Sequence, residues 1–560
     1  MRRLLPLQAE IEEMSETRPL LIWALGIALG AAIVRLALLD LQPLTPPEAQ
    51  TAWSQLLAAR GWIGETAGLA AVPPLLGNAM ALFFFLFGAS DSAARLMPAL
   101  AGVVGVLLPL LLAPIIGMRP AIAASIMLAL SPILVEASRQ ANSAMITTAL
   151  VLALVVCVAR LATDRPSWAP WATAATAGAA FATDSSIVVA LAAAGLSAIA
   201  TWTVTREDLR TWVGRVRDPE WRPLIAFSLA IAVLAATGAL MNLGGIGWAL
   251  GSLWAGILEV VRPAPFPTRN LAAILAYELP LLPVALIGFV IENRAGNRLA
   301  LFLGQWLLLL VALAAVAGQH VLALATLPVL PLALLAALAV GRLPADLSAY
   351  RLGGHSWGAL VLTAAVAGAA LMILAVTVGG NRSAAPITFI ALAGLIGITL
   401  SVWIRDVPGA ERWPSLALLG GLFAIAFSVG TIGRLSFGGS PPGMELLHYD
   451  ETAREFREAF KELSLVASTD GRRTLAITPA TPPVARWYGR DIVQVSADAG
   501  QAAQSIQLRT PSSPRDRGRT PFETISQLNR SDMSVLSILK WMVGRSALIV
   551  PQTRDIILAR

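Results

Sequence analysis

The chain has 560 residues, 56% of them hydrophobic and only 13% charged, whereas soluble domains carry about 25% charged residues; a soluble globular protein is excluded and a polytopic membrane protein implied. The formal charge of +7 is almost wholly arginine, with lysine only at Lys461 and Lys540. Those arginines are scattered between apolar runs instead of gathering on one face, which argues against a nucleic-acid partner, and the single Cys157 inside an apolar run excludes a disulfide framework or a cysteine metal site.

Residues 1–18 are polar and carry acids ahead of the first apolar run. No small-residue cleavage site follows that run, so they read as a retained cytoplasmic segment. A crossing needs about 17–25 mostly apolar residues. The pattern predicts crossings near 19–39, 96–115, 121–137, 143–160, 168–182, 186–204, 223–241, 271–291, 299–317, 321–341, 358–378, 387–403 and 414–433. The segment "VPPLLGNAMALFFFLFG" (72–88) is apolar enough to compete. The positive-inside rule decides against it. If it does not cross, the loops holding Arg206, Arg210, Arg215, Arg217, Arg222, Arg294, Arg298, Arg342 and Arg351 are all cytoplasmic, and only Arg60, Arg95, Arg139, Arg262, Arg269 and Arg382 fall outside before the tail. The expected fold is therefore an all-α polytopic membrane domain over 19–434 with about thirteen transmembrane helices. Its first outer loop is 40–95, and 72–88 lies in the outer interface. The N-terminus is cytoplasmic.

After Arg434 the composition changes. A Gly/Pro linker leads into an amphipathic helix, then "TLAITPATPPVARWYGRDIVQVS" gives two β-like runs around a Pro turn. The chain closes as helix and strand, so 435–560 is expected to be a small α/β extracytoplasmic domain.

Three stretches then stand in order: "PPEAQTAW", "VPPLLGNAMALFFFLFGASDSAARLMPALAG" and "LALSPILVEASRQANSAM". Over 38–160 they resemble the polyprenyl-phosphate-dependent GT-C glycosyltransferases, particularly glycosyltransferase family 39 and the aminoarabinose transferases. In that group the first outer loop carries Asp-Glu-Ala, an interfacial segment carries Lys-Pro-Pro-Leu, and later motifs are Phe-Gly, Ala-Ala-Arg-Leu-Pro-Ala-Leu, Ser-Pro and Ser-Arg. "HVLALATLPVLPLALLAALAV" resembles the family's late Pro-rich span, and "ARWYGRDIV" resembles the outer domain of flippase-activity-associated proteins. The resemblance implies transfer of a sugar from a lipid-linked phosphate donor at the outer membrane face. A loop carboxylate would serve as base or hold a divalent metal, and cationic side chains would steady the leaving phosphate.

This copy departs from the pattern. Pro47 stands where the family has Asp, Val72 where it has Lys, Asn142 where it has a basic residue and Ala144 near its second carboxylate. Glu48 remains as candidate base, or simply as an acid capping the helix that follows it. Asp40 ends the first span and is a second candidate metal ligand. Arg60, Arg95, Arg139 and His320 are candidates for donor phosphate or lipid. Arg95 equally serves as an anchor at the headgroups, and Glu136 and Arg139, about one turn apart, suit an ion pair. With only His320, His355 and His448 present, a His-rich metal centre is excluded. The expectation is a multi-pass plasma-membrane glycosyltransferase that takes a polyprenyl-phosphate sugar donor. The alternative is an inactive GT-C-fold scaffold that binds lipid, or a protein partner through 435–560. A transporter would show internal repeats and mid-span ionisable residues, and the apolar runs are almost free of both.

Overall fold

The computed structural model describes residues 5–59, 72–205, 221–261, 269–316, 322–343, 405, 409–438, 446–447, 457–458, 460–461, 475–477, 483–490, 493–495, 507–509 and 557–559. Arg60, His320, the predicted spans 358–378 and 387–403, and most of 435–560 lie outside the described residues.

The molecule is built of helices: α1 (Leu5–Leu36), α2 (Pro46–Ala59), α3 (Pro74–Phe87) and α4 (Asp91–Leu107), which runs through a 3-10 turn into α5 (Ala113–Ile116). There follow α6 (Met118–Ala129), α7 (Pro132–Ser138), α8 (Ala144–Thr163), α9 (Ala169–Ala180), α10 (Ser186–Thr205), α11 (Trp221–Thr237) and α12 (Gly244–Val261). Then come α13 (Arg269–Tyr277), α14 (Leu281–Arg294), α15 (Arg298–Val316), α16 (Ala323–Thr326), α17 (Val329–Gly341) and α18 (Gly409–Ile432). In the tail, α19 (Pro483–Tyr488) lies between β1 (Leu475–Ile477) and β2 (Val493–Val495), which pair in parallel, while β3 (Gln507–Arg509) pairs antiparallel with β4 (Ile557–Ala559).

Among the described residues six helices are long and apolar enough to cross a membrane, or eight if each of two bent pairs is one crossing. The bends fall at prolines. Pro132 separates α6 from α7 at 59°, and Pro280 separates α13 from α14 at 84°, because proline removes a helical N–H and crowds the preceding turn. The two breaks are joined. Ser131 Oγ donates to Glu278 Oε1 at 2.5 Å, and Ile133 N–H donates to the same oxygen at 3.3 Å, so the carboxylate beside the second break satisfies donors at the first. At the centre stands α17, buried from Val329 through Leu338, as a helix apolar on every side must be. α1 instead exposes Leu21, Leu25, Leu29 and Ile33 along one i, i+4 stripe, a lipid-facing surface.

A second apolar core lies at one end of the bundle, where Trp53, Leu56 and Leu57 of α2, Leu76, Met80 and Phe84 of α3, and Val484, Ala485 and Trp487 of α19 pack together. This core bears on the path of 72–88. α3 spans 14 residues, about 21 Å at 1.5 Å per residue, which is short of a hydrocarbon layer of about 30 Å. Tyr488 touches Leu44 before this segment and Asp91 after it, so the chain between returns to the place it left. Gly88, at φ +80°, ends α3 and turns the backbone back, a conformation that favours glycine. The tail and the first loop therefore share a face. Cysteines introduced at the exposed positions Ala58 and Glu458, in a Cys157→Ala protein, should both react with an impermeant maleimide from one side of intact cells. Labelling from opposite sides would break this arrangement.

Candidate functional site

Between α1 and α2 the backbone of "ALLDLQP" (37–43) forms neither helix nor strand, and Leu38 sits at φ +52°. A helix end followed by irregular chain leaves carbonyls without partners. Here three arginines satisfy them in succession. Arg139 donates to Ala37 O at 2.7 Å and Leu38 O at 2.8 Å. Arg95 donates to Leu39 O at 2.9 Å, Gln42 O at 2.7 Å and Pro43 O at 3.1 Å. Arg457 of the tail supplies Asp40 O and, at 3.4 Å, Leu41 O. Arg35, fully buried, treats the end of α6 the same way through Leu128 O and Ala129 O. Gly102 makes room for it, since a Cβ there would come within 2.9 Å of the Arg35 side chain.

Glu48 lies in the first turn of α2 and forms a capping box with Thr45. Its backbone N–H donates to Thr45 Oγ1 at 3.5 Å, and its own Oε2 accepts Thr45 N–H at 2.9 Å. The same carboxylate takes a two-pronged pair from Arg95, Nε to Oε1 at 2.9 Å and Nη2 to Oε2 at 2.8 Å, and accepts Ala141 N–H at 2.6 Å. Burial pushes against its ionisation, but the Arg95 guanidinium and the Thr45 and Ala141 N–H groups outweigh that, holding the carboxyl below the usual carboxylate range. Pro47, one residue earlier, is exposed while Glu48 is 4% exposed.

The turn from α7 to α8 gathers the remaining polar groups. Glu136 accepts from Gln140 Nε2 at 3.0 Å and Ser436 Oγ at 2.9 Å. Asn142 donates to Gln140 Oε1 at 3.0 Å and caps α8 by accepting Ala144 N–H at 3.0 Å. Two residues from the Glu48 contact at Ala141, Ser143 Oγ donates to Asp184 Oδ2, joined by Thr147 Oγ1 at 3.2 Å. Asp184 Oδ1 accepts from Ser186 Oγ and, at 2.9 Å, from Ser186 N–H.

The tail closes the other side of the loop. Trp487 Nε1 donates to Asp91 Oδ1 at 2.7 Å and Tyr488 OH to Asp91 Oδ2 at 2.8 Å, while Leu44 N–H donates to the same phenol oxygen at 2.8 Å. Arg490 donates to Ala89 O at 2.9 Å and lies 4.5 Å over the Trp487 ring. "FGASDSAARL" and "ARWYGR", distant in sequence, thus form one clamp. Burial, with the neighbouring Asp91 charge, pushes the Tyr488 phenol well above its ordinary value. Its folded pKa is raised, so its contribution is complete below the unfolded value of about 10 and is lost as pH rises through the folded one. Tyr488→Phe removes both bonds at the phenol oxygen and leaves Asp91 short of a donor. It should cost about 1–3 kcal/mol, seen as faster proteolysis of the tail, and it should flatten the alkaline loss of stability.

Sequence-predicted residues thus divide. Glu48 and Arg95 come together in one buried pair. Arg95 and Arg139, expected to bind donor phosphate or lipid, give N–H groups to backbone carbonyls and, for Arg95, to Glu48; Arg139 also lies 4.5 Å from the Phe437 ring centre. Glu136 and Arg139 direct the hydrogen bonds given above to other partners. Asp40 is exposed and contributes its carbonyl to Arg457. Asp184 was missed, although an acid between two apolar runs in "FATDSS" was the available signal. Glu48 is filled by N–H donors, and among the described residues no three His, Cys, Asp or Glu side chains gather as metal ligands. A divalent metal does not fit the groups described.

The family model of dolichyl-phosphate-mannose-protein mannosyltransferases matches residues 71–216, from the approach to α3 through α10. No curated protein matches the chain in sequence. In fold it is similar to the crystal structure of ArnT from Cupriavidus metallidurans bound to undecaprenyl phosphate, with a TM-score of 0.56 and 18% identity over 85% of this chain and 86% of that one. The apo structure of the same protein gives 0.56 and 19% over 86% and 87%. The chain is thus similar, in its family-model segment and in its fold, to the GT-C glycosyltransferases that use polyprenyl phosphate.

Proposed function

We propose that this chain is a membrane glycosyltransferase that receives a polyprenyl-phosphate-linked sugar and passes the sugar to an acceptor at the outer membrane face. The observation that carries the reading is the joint made by α2, α3, the start of α4 and the α7–α8 turn. It sets an apolar helix, with Leu82, Phe85, Leu86 and Phe87 exposed, beside a polar layer holding Asp184 and Asn142. The apolar helix suits a polyprenyl chain, and the polar layer suits the phosphate-sugar end. Likeness to ArnT over most of both chains supports the same reading. The N-terminus is assigned to the cytoplasm, and 435–560 to an extracytoplasmic domain that α19 ties to the first loop.

One observation favours a second reading, a GT-C-fold scaffold without transfer that binds lipid or a protein partner. Glu48 is committed to Arg95, and the exposed position beside it is Pro47. The test is direct. Purified protein in lipid nanodiscs should bind polyprenyl phosphate and transfer radiolabelled sugar from a polyprenyl-phosphate donor. Binding without transfer would select the scaffold, and neither would remove both lipid-based readings.

A further inference from the structure

We infer that Asp184 is the carboxylate this site turns toward its substrate, acting as base on the acceptor hydroxyl; the inference rests on the transferase reading above. Three carboxylates touch the segment 136–147: Glu48, Glu136 and Asp184. Glu48 and Glu136 are 4% and 3% exposed, whereas Asp184 is only partly buried. The kind of donor separates them further. Glu48 is held by a guanidinium and two backbone N–H groups, whose directions the fold fixes. Asp184 is held by the hydroxyls of Ser143, Thr147 and Ser186, with one backbone N–H from Ser186. A hydroxyl rotates and is itself an acceptor, so an incoming alcohol can take the place of a serine without breaking backbone structure.

Position agrees. Two residues before Asp184, the carbonyl of Ala182 accepts Leu75 N–H at 2.9 Å, which ties this loop to the first turn of α3. The carboxylate therefore sits at the foot of the apolar helix assigned to the lipid. It also reaches the start of α8, close to Ala144, from the turn between α9 and α10. In the step, Asp184 removes the proton of the acceptor hydroxyl as that oxygen bonds to the anomeric carbon. The bond from that carbon to the phosphate oxygen breaks, and its electron pair leaves with the polyprenyl phosphate. The proton on Asp184 then passes to water.

The experiment compares wild type, Asp184→Asn and Asp184→Glu in nanodiscs for binding of polyprenyl phosphate, thermal stability and radiolabelled transfer. Asparagine keeps an oxygen for Ser186 N–H and removes the base. It should bind lipid as wild type does and transfer about 10²–10⁴-fold more slowly, while the Glu variant retains measurable transfer. Transfer by the Asn variant within a few-fold of wild type would overturn the assignment alone. Equal loss in both variants together with lowered stability would place Asp184 in the fold rather than the chemistry. Wild type that binds without transfer would overturn the transferase reading, and the assignment with it.

Discussion

Glu48→Gln should cost the protein about 3–5 kcal/mol of stability, the usual result of removing one partner of a buried ion pair. The side chains of Glu48 and Arg95 are each 5% exposed, so solvent does little to replace the lost charge. Glutamine also brings an NH2 group to a site where Arg95, Thr45 and Ala141 already supply N–H donors, and donor then faces donor. Because its pKa in the fold is lowered, Glu48 contributes stability above the unfolded carboxylate value of about 4.3. That contribution is lost as pH falls through the lower folded value. The measurement is thermal unfolding in detergent from pH 7 downward, with transfer normalised to the folded fraction. If Glu48 anchors the loop, the melting temperature drops and transfer per folded molecule holds. A variant that melts like wild type and has lost transfer would instead make Glu48 the base that its position in the sequence suggested.

What could be read in the sequence follows from the range of the forces involved. Apolar runs report local burial, so the helices at 144–163, 186–205 and 298–316 lie close to the predicted spans. Glu48, read as an acid capping the helix that follows it, does serve as a cap, but through a box with Thr45 and from inside a helix that begins at Pro46. The crossings expected at 121–137 and 271–291 are instead bent at Pro132 and Pro280, and no local pattern shows that Ser131 and Glu278 bond across the bends. Arg95 and Arg139 were the hardest to place. An isolated arginine near an outer loop resembles a phosphate ligand, and only the path of 37–43, with Leu38 in the left-handed region, creates the carbonyls that take its N–H groups. The clamp failed to show for a similar reason. "ARWYGR" and "FGASDSAARL" each stood out, yet Trp487 and Asp91 lie 396 residues apart, and local pattern carries no information about such a meeting.

Pro47→Asp should restore transfer to the Asp184→Asn protein, by as much as the about 10²–10⁴-fold that a general base supplies. Position 47 is exposed where position 48 is buried, so of two neighbouring acids in this loop the first would face out and the second would hold Arg95. The family resemblance implies an acid at 47 beside the one at 48, and this chain has only the one that holds Arg95. The substitution asks little of the fold. Asp is favoured in the first turn of a helix, and removing a proline costs about 0.4–1 kcal/mol through the unfolded chain. Glu48, the neighbour of position 47, contacts this turn at Ala141, and Asp184 contacts it at Ser143; an acid at 47 is therefore expected to reach the same acceptor. Recovery in the double variant, with no comparable gain when Pro47→Asn is used instead, would tie both positions to a single proton transfer. If Pro47→Asp leaves the Asp184→Asn protein as slow as before, while lipid binding and melting temperature are unchanged, the two positions do not share a substrate. The exposed edge of the first loop would then belong to the loop's packing alone.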